Sequence, residues 1–203
     1  TSALLTDMNQ SLASSAGNSL EVKSALTVLK YEPGEEQLLE VTLALGAKLL
    51  VTAATFPDED TARERLKESL SSGKAAEIFG RMIAALGGPV DFVEKSDEYL
   101  PVAKNILDFP SPSSGYLKSV NGRILGQAVI ELGGGRKQAD DKLDLSVGLD
   151  QFTRIGKNIE QGDPLLRIHS SNDRNIERVK NLLSEAFQFS ENPEESNPLI
   201  LES

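Results

Sequence analysis

The segment Asp108-Phe-Pro-Ser-Pro-Ser-Ser-Gly115 constrains this chain more than any other. Two prolines, three serines and a glycine cannot continue a helix, because proline lacks an amide donor and fixes φ, while glycine and serine favour turns. The apolar spacing changes across it. Upstream, residues 1–108 read as mostly helical. Downstream, residues 113–190 read as alternating strands and helices. Residues 191–203 form an acidic tail in which Pro198-Leu-Ile-Leu201 can return as an edge strand, with proline at the strand start.

The upstream helices have recognisable ends. Asn18 is a cap candidate, with Glu21 placed to bond back, and Val22, Ala25, Leu26 and Leu29 make one stripe. Residues 36–53 are apolar all round, which predicts a buried helix. Residues 58–72 begin Asp-Glu-Asp, favoured by the helix dipole, and Gly73 is a natural stop. Residues 74–86 are amphipathic through Ile78, Phe79, Met82, Ile83 and Leu86. Downstream, Tyr116–Val120 reads as a strand and 121–132 as a helix capped by Asn121. Leu143-Asp-Leu-Ser-Val147 alternates with period two, predicting a half-buried strand. Leu165–His169 reads as a strand and 172–187 as a helix. The chain opens at Thr1 with an apolar run ending at Thr6, read as a buried strand. Such a strand needs neighbours on both sides, which predicts a piece of something longer.

Composition removes whole classes of function. Among 203 residues, 21 Lys and Arg face 31 Asp and Glu, a net charge of −10. That balance excludes nucleic acid and anionic membrane surfaces as electrostatic partners. With no cysteine, disulfides and thiolate chemistry are out, and one histidine rules out a His-rich metal site. No apolar run is long enough for a membrane span. A soluble cytoplasmic protein is the expectation.

Several residues could carry chemistry. Asp7–Asn18 is a polar loop after a presumed strand and before a helix, where open α/β sheets place ligands. Its candidate supporting residues are Asp7, Asn9, Ser14, Ser15 and Asn18; the alternative is a connecting loop satisfied by its own side chains. Gly133-Gly-Gly-Arg-Lys137 could cradle an anion, making Gly134 and Arg136 candidate phosphate contacts, or could simply stop the preceding helix. His169 has no carboxylate near it in sequence, which favours a structural or surface role over a general base. Asp140, Asp141 and Asp144 could meet a cation but lack the spacing of a calcium loop. Ile159-x-x-Gly-Asp-Pro-Leu-Leu-x-Ile168 has the strand-turn-strand spacing of biotinyl and lipoyl carrier barrels without their lysine hairpin, and reads as a hammerhead-like β element.

Leu5-Thr-Asp-Met-Asn-Gln-Ser-Leu-Ala-Ser-Ser-Ala-Gly-Asn18 closely resembles a segment of the bacterial thymidine phosphorylases. So do Gly73–Met82, Asp91-Phe-Val-Glu94, Leu132–Ala139 and Ser146-Val-Gly148, in the same order. The resemblance covers only the C-terminal part of those enzymes. It implies an α/β (α+β) fold: the second half of the phosphorylase α/β core over 1–108, then an α/β-hammerhead C-terminal domain over 113–190. It implies reversible phosphorolysis of thymidine to thymine and 2-deoxyribose 1-phosphate, with phosphate as co-substrate and no required cofactor, in a homodimer.

In that family the residues that hold phosphate and base, and the catalytic histidine, lie upstream of Thr1. The implied partner is therefore the N-terminal half of the same enzyme, and no catalytic residue maps onto this chain. Some members bind a potassium or calcium ion through two backbone carbonyls and a Glu. The carbonyls map to Leu12 and Ser15, and the Glu maps to Ser24, which lacks the anionic ligand. Anthranilate phosphoribosyltransferases share the implied core but not a domain with the Gly133–Arg136 loop. The remaining alternative is a non-catalytic α/β module that binds a ligand or partner.

Overall fold

The computed structural model describes residues 1–193 and 197–202. In chain order the elements are β1 (Leu5–Thr6), α1 (Asn18–Leu29), α2 (Glu36–Thr52), α3 (Glu59–Ser71), α4 (Lys74–Ala85), α5 (Ser96–Tyr99), β2 (Asn105–Pro110), β3 (Gly115–Val120), α6 (Gly122–Leu132), β4 (Gly148–Asp150), β5 (Asn158–Ile159), β6 (Pro164–Ser170), α7 (Asp173–Leu183), β7 (Phe187–Ser190) and β8 (Ile200–Glu202). Helices and antiparallel sheets give a mixed α/β protein. Its contacts divide it into two compact units. One comprises Thr1–Asp7, Lys23–Tyr99 and Asn197–Ser203, and the other Met8–Val22 and Leu100–Ser196. The tail residues 194–196 and 203 lie outside the described residues.

The first unit is helical. Asp58 caps α3 by accepting from the Thr61 amide at 2.7 Å, and Gly73 leaves that helix at φ 75°. Helix α2 buries Val41, Leu43, Ala44 and Ala47. It is not buried all round, since Leu49 is 68% exposed and Leu45 51%. Apolar residues on every side of a helix need close cover on every side, and among the described residues the cover over Leu45 and Leu49 leaves both exposed. Helix α4 likewise buries Ala76 while Ile78, Met82 and Leu86 stay exposed. The opening strand is also corrected. Leu5 is 54% exposed, and the two-residue β1 pairs antiparallel with β8 alone.

The second unit holds a single core. Sheets β2-β6-β4 and β5-β3-β7 are both antiparallel, and α6 and α7 pack against them. Strand β6 supplies Leu165, Leu166 and Ile168, each fully buried. They meet Leu125, Ala128 and Leu132 of α6 and Val179 and Leu183 of α7 in one cluster. Burying a leucine or isoleucine of this kind contributes roughly 2 kcal/mol. Asn121 caps α6 by accepting from the Arg123 and Ile124 amides at 3.1 and 3.3 Å, and Gly133 closes that helix at φ 103°. The Pro/Ser-rich stretch of 108–115 lies within this unit, and its first residues belong to β2.

Two further expectations differ from the structure. Residues 143–147 form no strand, because Asp144 turns its carboxylate onto the Ser146 amide and hydroxyl at 3.0 and 2.6 Å. A local side-chain turn of that kind competes with a sheet ladder. The last helix stops at Leu183 instead of 187, where Glu185 and Ala186 close the end with short i→i−3 bonds. Phe187 then opens β7 opposite Val120 and stacks on Phe109, ring centroids 6.0 Å apart.

Residues 8–22 join this unit through two glycines. A Cβ on Gly17, at φ 129°, would lie 2.5 Å from the Val147 carbonyl oxygen and 2.9 Å from the Gly148 Cα. Gly17→Ala should therefore cost about 3 kcal/mol, from overpacking plus left-handed strain. Gly122→Ala, with open space around its Cβ and ordinary φ, should leave stability unchanged or raise it by roughly 0.5 kcal/mol. Urea unfolding of both variants checks the contrast.

Candidate functional site

The polar loop is read best from its backbone. Ala16 exchanges two bonds with Leu149, amide to carbonyl in both directions at 2.8 Å, so it covers the free edge of β4. The Phe152 amide donates to the Ser14 carbonyl at 3.2 Å, and the Ile155 amide donates to Gln10 Oε1 at 3.2 Å. The Arg154 guanidinium donates to the carbonyls of Ser11 and Leu12, the latter at 3.2 Å. The Ser19 amide reaches the Leu145 carbonyl at 3.2 Å. Ser15 is buried at 5% exposure, whereas Asn9 is exposed. Asp7 belongs to the first unit, where its amide donates to the Leu199 carbonyl and its carboxylate accepts from Asn197.

Asn18 does not cap α1. The helix begins one residue earlier in function, with Glu21 accepting from the Gly17 amide at 2.9 Å. That frees the Asn18 side chain to donate to the Gly134 carbonyl at 3.3 Å. Two residues singled out separately in the sequence are thus in contact. Gly134 has no room for a side chain, since a Cβ would lie 2.9 Å from Val129 Cγ1.

The glycine run ends α6. Beyond it, the amides of Lys137 and Gln138 both donate to Asp141 Oδ2 at 2.9 Å. These two amides, with Lys137 and Arg136 nearby, hold the Asp141 carboxyl below the usual carboxylate range. The anion in this loop is the chain's own side chain. Arg136 is exposed, and Lys137 pairs with Glu131 at 2.8 Å.

The residues mapped to a cation do not fit one. Leu12 turns its carbonyl to a guanidinium, which repels a second cation at the same oxygen. Ser24, in the first unit, donates its buried hydroxyl to the Glu35 carboxylate. Among the described residues no group of three or more His, Asp or Glu is arranged to hold a metal.

The sequence missed one cluster. His169 is buried, and its Nε2 lies 3.0 Å from Asp150 Oδ1, off the line of a good hydrogen bond. Arg167 grips the same carboxylate with Nε on Oδ1 at 3.0 Å and Nη2 on Oδ2 at 2.8 Å. The carboxylate absent from the histidine's sequence neighbourhood arrives by register, because Asp150 lies opposite Arg167 in the β4–β6 pair. Burial alone would raise the Asp150 pKa; His169 and Arg167 outweigh it and bring the group down to about 2. Asp144 is similar in kind: burial opposes its ionisation, while Ser146 and Ser171 favour it and leave the carboxyl lowered.

The second unit is a lobe built of two antiparallel sheets and two helices around one core. Residues 116–190, from β3 through β7, match the family model of the pyrimidine nucleoside phosphorylase C-terminal domain. Within this chain, residues 116–190 are thus similar to the C-terminal domain of pyrimidine nucleoside phosphorylases. Among the described residues no helix is long and apolar enough to cross a membrane.

A depressed carboxylate stabilises the fold above its ordinary pKa. The Asp150 contribution is complete above pH about 4 and fades as pH falls towards 2. Asp150→Asn should lose about 2 kcal/mol at neutral pH. Urea unfolding against pH should show the gap to wild type closing as pH drops from about 4 towards 2.

Proposed function

We propose that this chain serves the reversible phosphorolysis of thymidine, giving thymine and 2-deoxyribose 1-phosphate. The observation that carries this reading is the phosphorylase domain match over residues 116–190. The Leu5–Asn18 segment, with its resemblance to thymidine phosphorylases, supports thymidine as the substrate. A phosphate oxygen forms the bond to the anomeric carbon as the bond to the base nitrogen breaks, and the departing base takes up a proton. Catalysis of such a step rests on placing phosphate and stabilising the leaving base.

Residues 8–17 contain no Lys, Arg or His, so they neither neutralise phosphate nor protonate the base. Their part is to support a neighbouring phosphate-binding loop. The groups that hold phosphate and base come, in this reading, from a segment preceding Thr1, in a cytoplasmic homodimer whose co-substrate is phosphate. The 203-residue chain alone should then release no thymine from thymidine and phosphate above a heat-killed control. Joined to an upstream segment with a Lys/Ser phosphate loop, it should release thymine only when phosphate is present. Thymine release by the chain alone, or none by the joined protein, overturns the reading.

A further inference from the structure

We propose that Arg154 is a built-in cation that positions the loop 8–17, occupying the Leu12 carbonyl that the resemblance assigns to a bound metal ion. Two adjacent backbone carbonyls, Ser11 and Leu12, turn to one guanidinium. Adjacent carbonyl oxygens of this kind suit a hard cation. A guanidinium meets the same pair with a rigid fork of donors, keeps its charge at every working pH, and sheds water more readily than an ammonium.

The surrounding backbone presents that fork. Gln151 takes φ 54°, a left-handed conformation rare outside glycine, and turns the chain sharply at the end of β4. The next residues then run beside the loop. Phe152 donates to Ser14 and Ile155 to Gln10, so Arg154 acts in the middle of a continuous strip of contacts. Loop and strip are 142 residues apart for the Arg154–Leu12 pair. The cation is thus supplied by the lobe itself, and the loop's shape does not depend on dissolved ions. Its catalytic consequence rests on the proposed function: Arg154 is a positioning residue for phosphate and touches no reacting atom.

The test uses amide hydrogen exchange on the 203-residue chain, which needs no activity. The reporters are the Phe152 and Ile155 amides, with the α6 amides of Leu125 and Ala128 as the internal reference. In wild type, replacing potassium chloride by choline chloride, or adding calcium, should leave the reporters unchanged. Arg154→Ala should speed their exchange about tenfold, the loss of a charge-assisted hydrogen bond, while the reference holds. Guanidinium chloride at sub-denaturing concentration should restore much of the protection, and potassium chloride at equal concentration should restore less.

Should Arg154→Ala fail to fold, Arg154→Lys serves instead and should show intermediate protection, since one ammonium cannot fork to both carbonyls. Slower wild-type exchange on adding potassium or calcium would overturn the proposal, as would reporter protection unchanged in both variants. In the joined phosphorylase, Arg154→Ala should raise the phosphate KM about tenfold with kcat held within about twofold. An inactive wild type would count against phosphorolysis and leave the exchange result standing.

Discussion

The close approach of Gly17 and Gly148 governs the rest of the second unit. A side chain at Gly148 would strike the Ala16 carbonyl oxygen at 2.3 Å, and one at Gly17 would strike Val147. Only two bare Cα atoms let the backbones come near enough for Ala16 and Leu149 to exchange hydrogen bonds. β4 is an edge strand of its sheet, with backbone groups that need cover. Ala16 supplies that cover, so residues 8–22 are part of the lobe's packing although they precede it by a long stretch of helices. Asn18 on Gly134 and Gln10 on Ile155 then follow as further consequences of the same docking.

A second constraint is electrostatic. The chain carries net charge −10, yet the half-buried Arg154 and Arg167 are committed to partners within the chain. Arg167 satisfies a carboxylate, and Arg154 satisfies carbonyl dipoles. Both uses exploit the planar fork of arginine, which lysine cannot reproduce. Half-buried Asp150 would otherwise be a liability to the fold, because an unpaired charge partly withdrawn from water is costly. Asp141, at the surface, illustrates the opposite case: two amides and a basic neighbourhood keep it ionised without burial.

The elements legible in the sequence are those whose causes are local. Asn121 and Gly73 mark their helix ends as read, because caps and left-handed stops act within a turn of their own position. Leu165–His169 reads as a strand and is one, since the apolar run between turn signals is self-sufficient. Misreadings arose where a local pattern met a competing partner. The alternation of 143–147 lost to Asp144 bonding Ser146, and the helix period through Phe187 lost to the ring's place against Phe109. The all-apolar α2 looked buried because periodicity reports what a face could bury and is silent on what lies opposite it.

The same division separates the site. By itself the sequence determined that residues 7–18 form a polar loop between a strand and a helix, that the run at Gly133 ends a helix, and that thiol and multi-histidine chemistry are absent. Only the tertiary structure decided that Asn18 meets Gly134, that Arg154 holds Ser11 and Leu12, and that His169 has a carboxylate after all. The reason is the range of the forces. Caps, turns and glycine stops are set by neighbours along the chain, whereas these pairings exist only once sheet register and the two-glycine contact bring distant residues together.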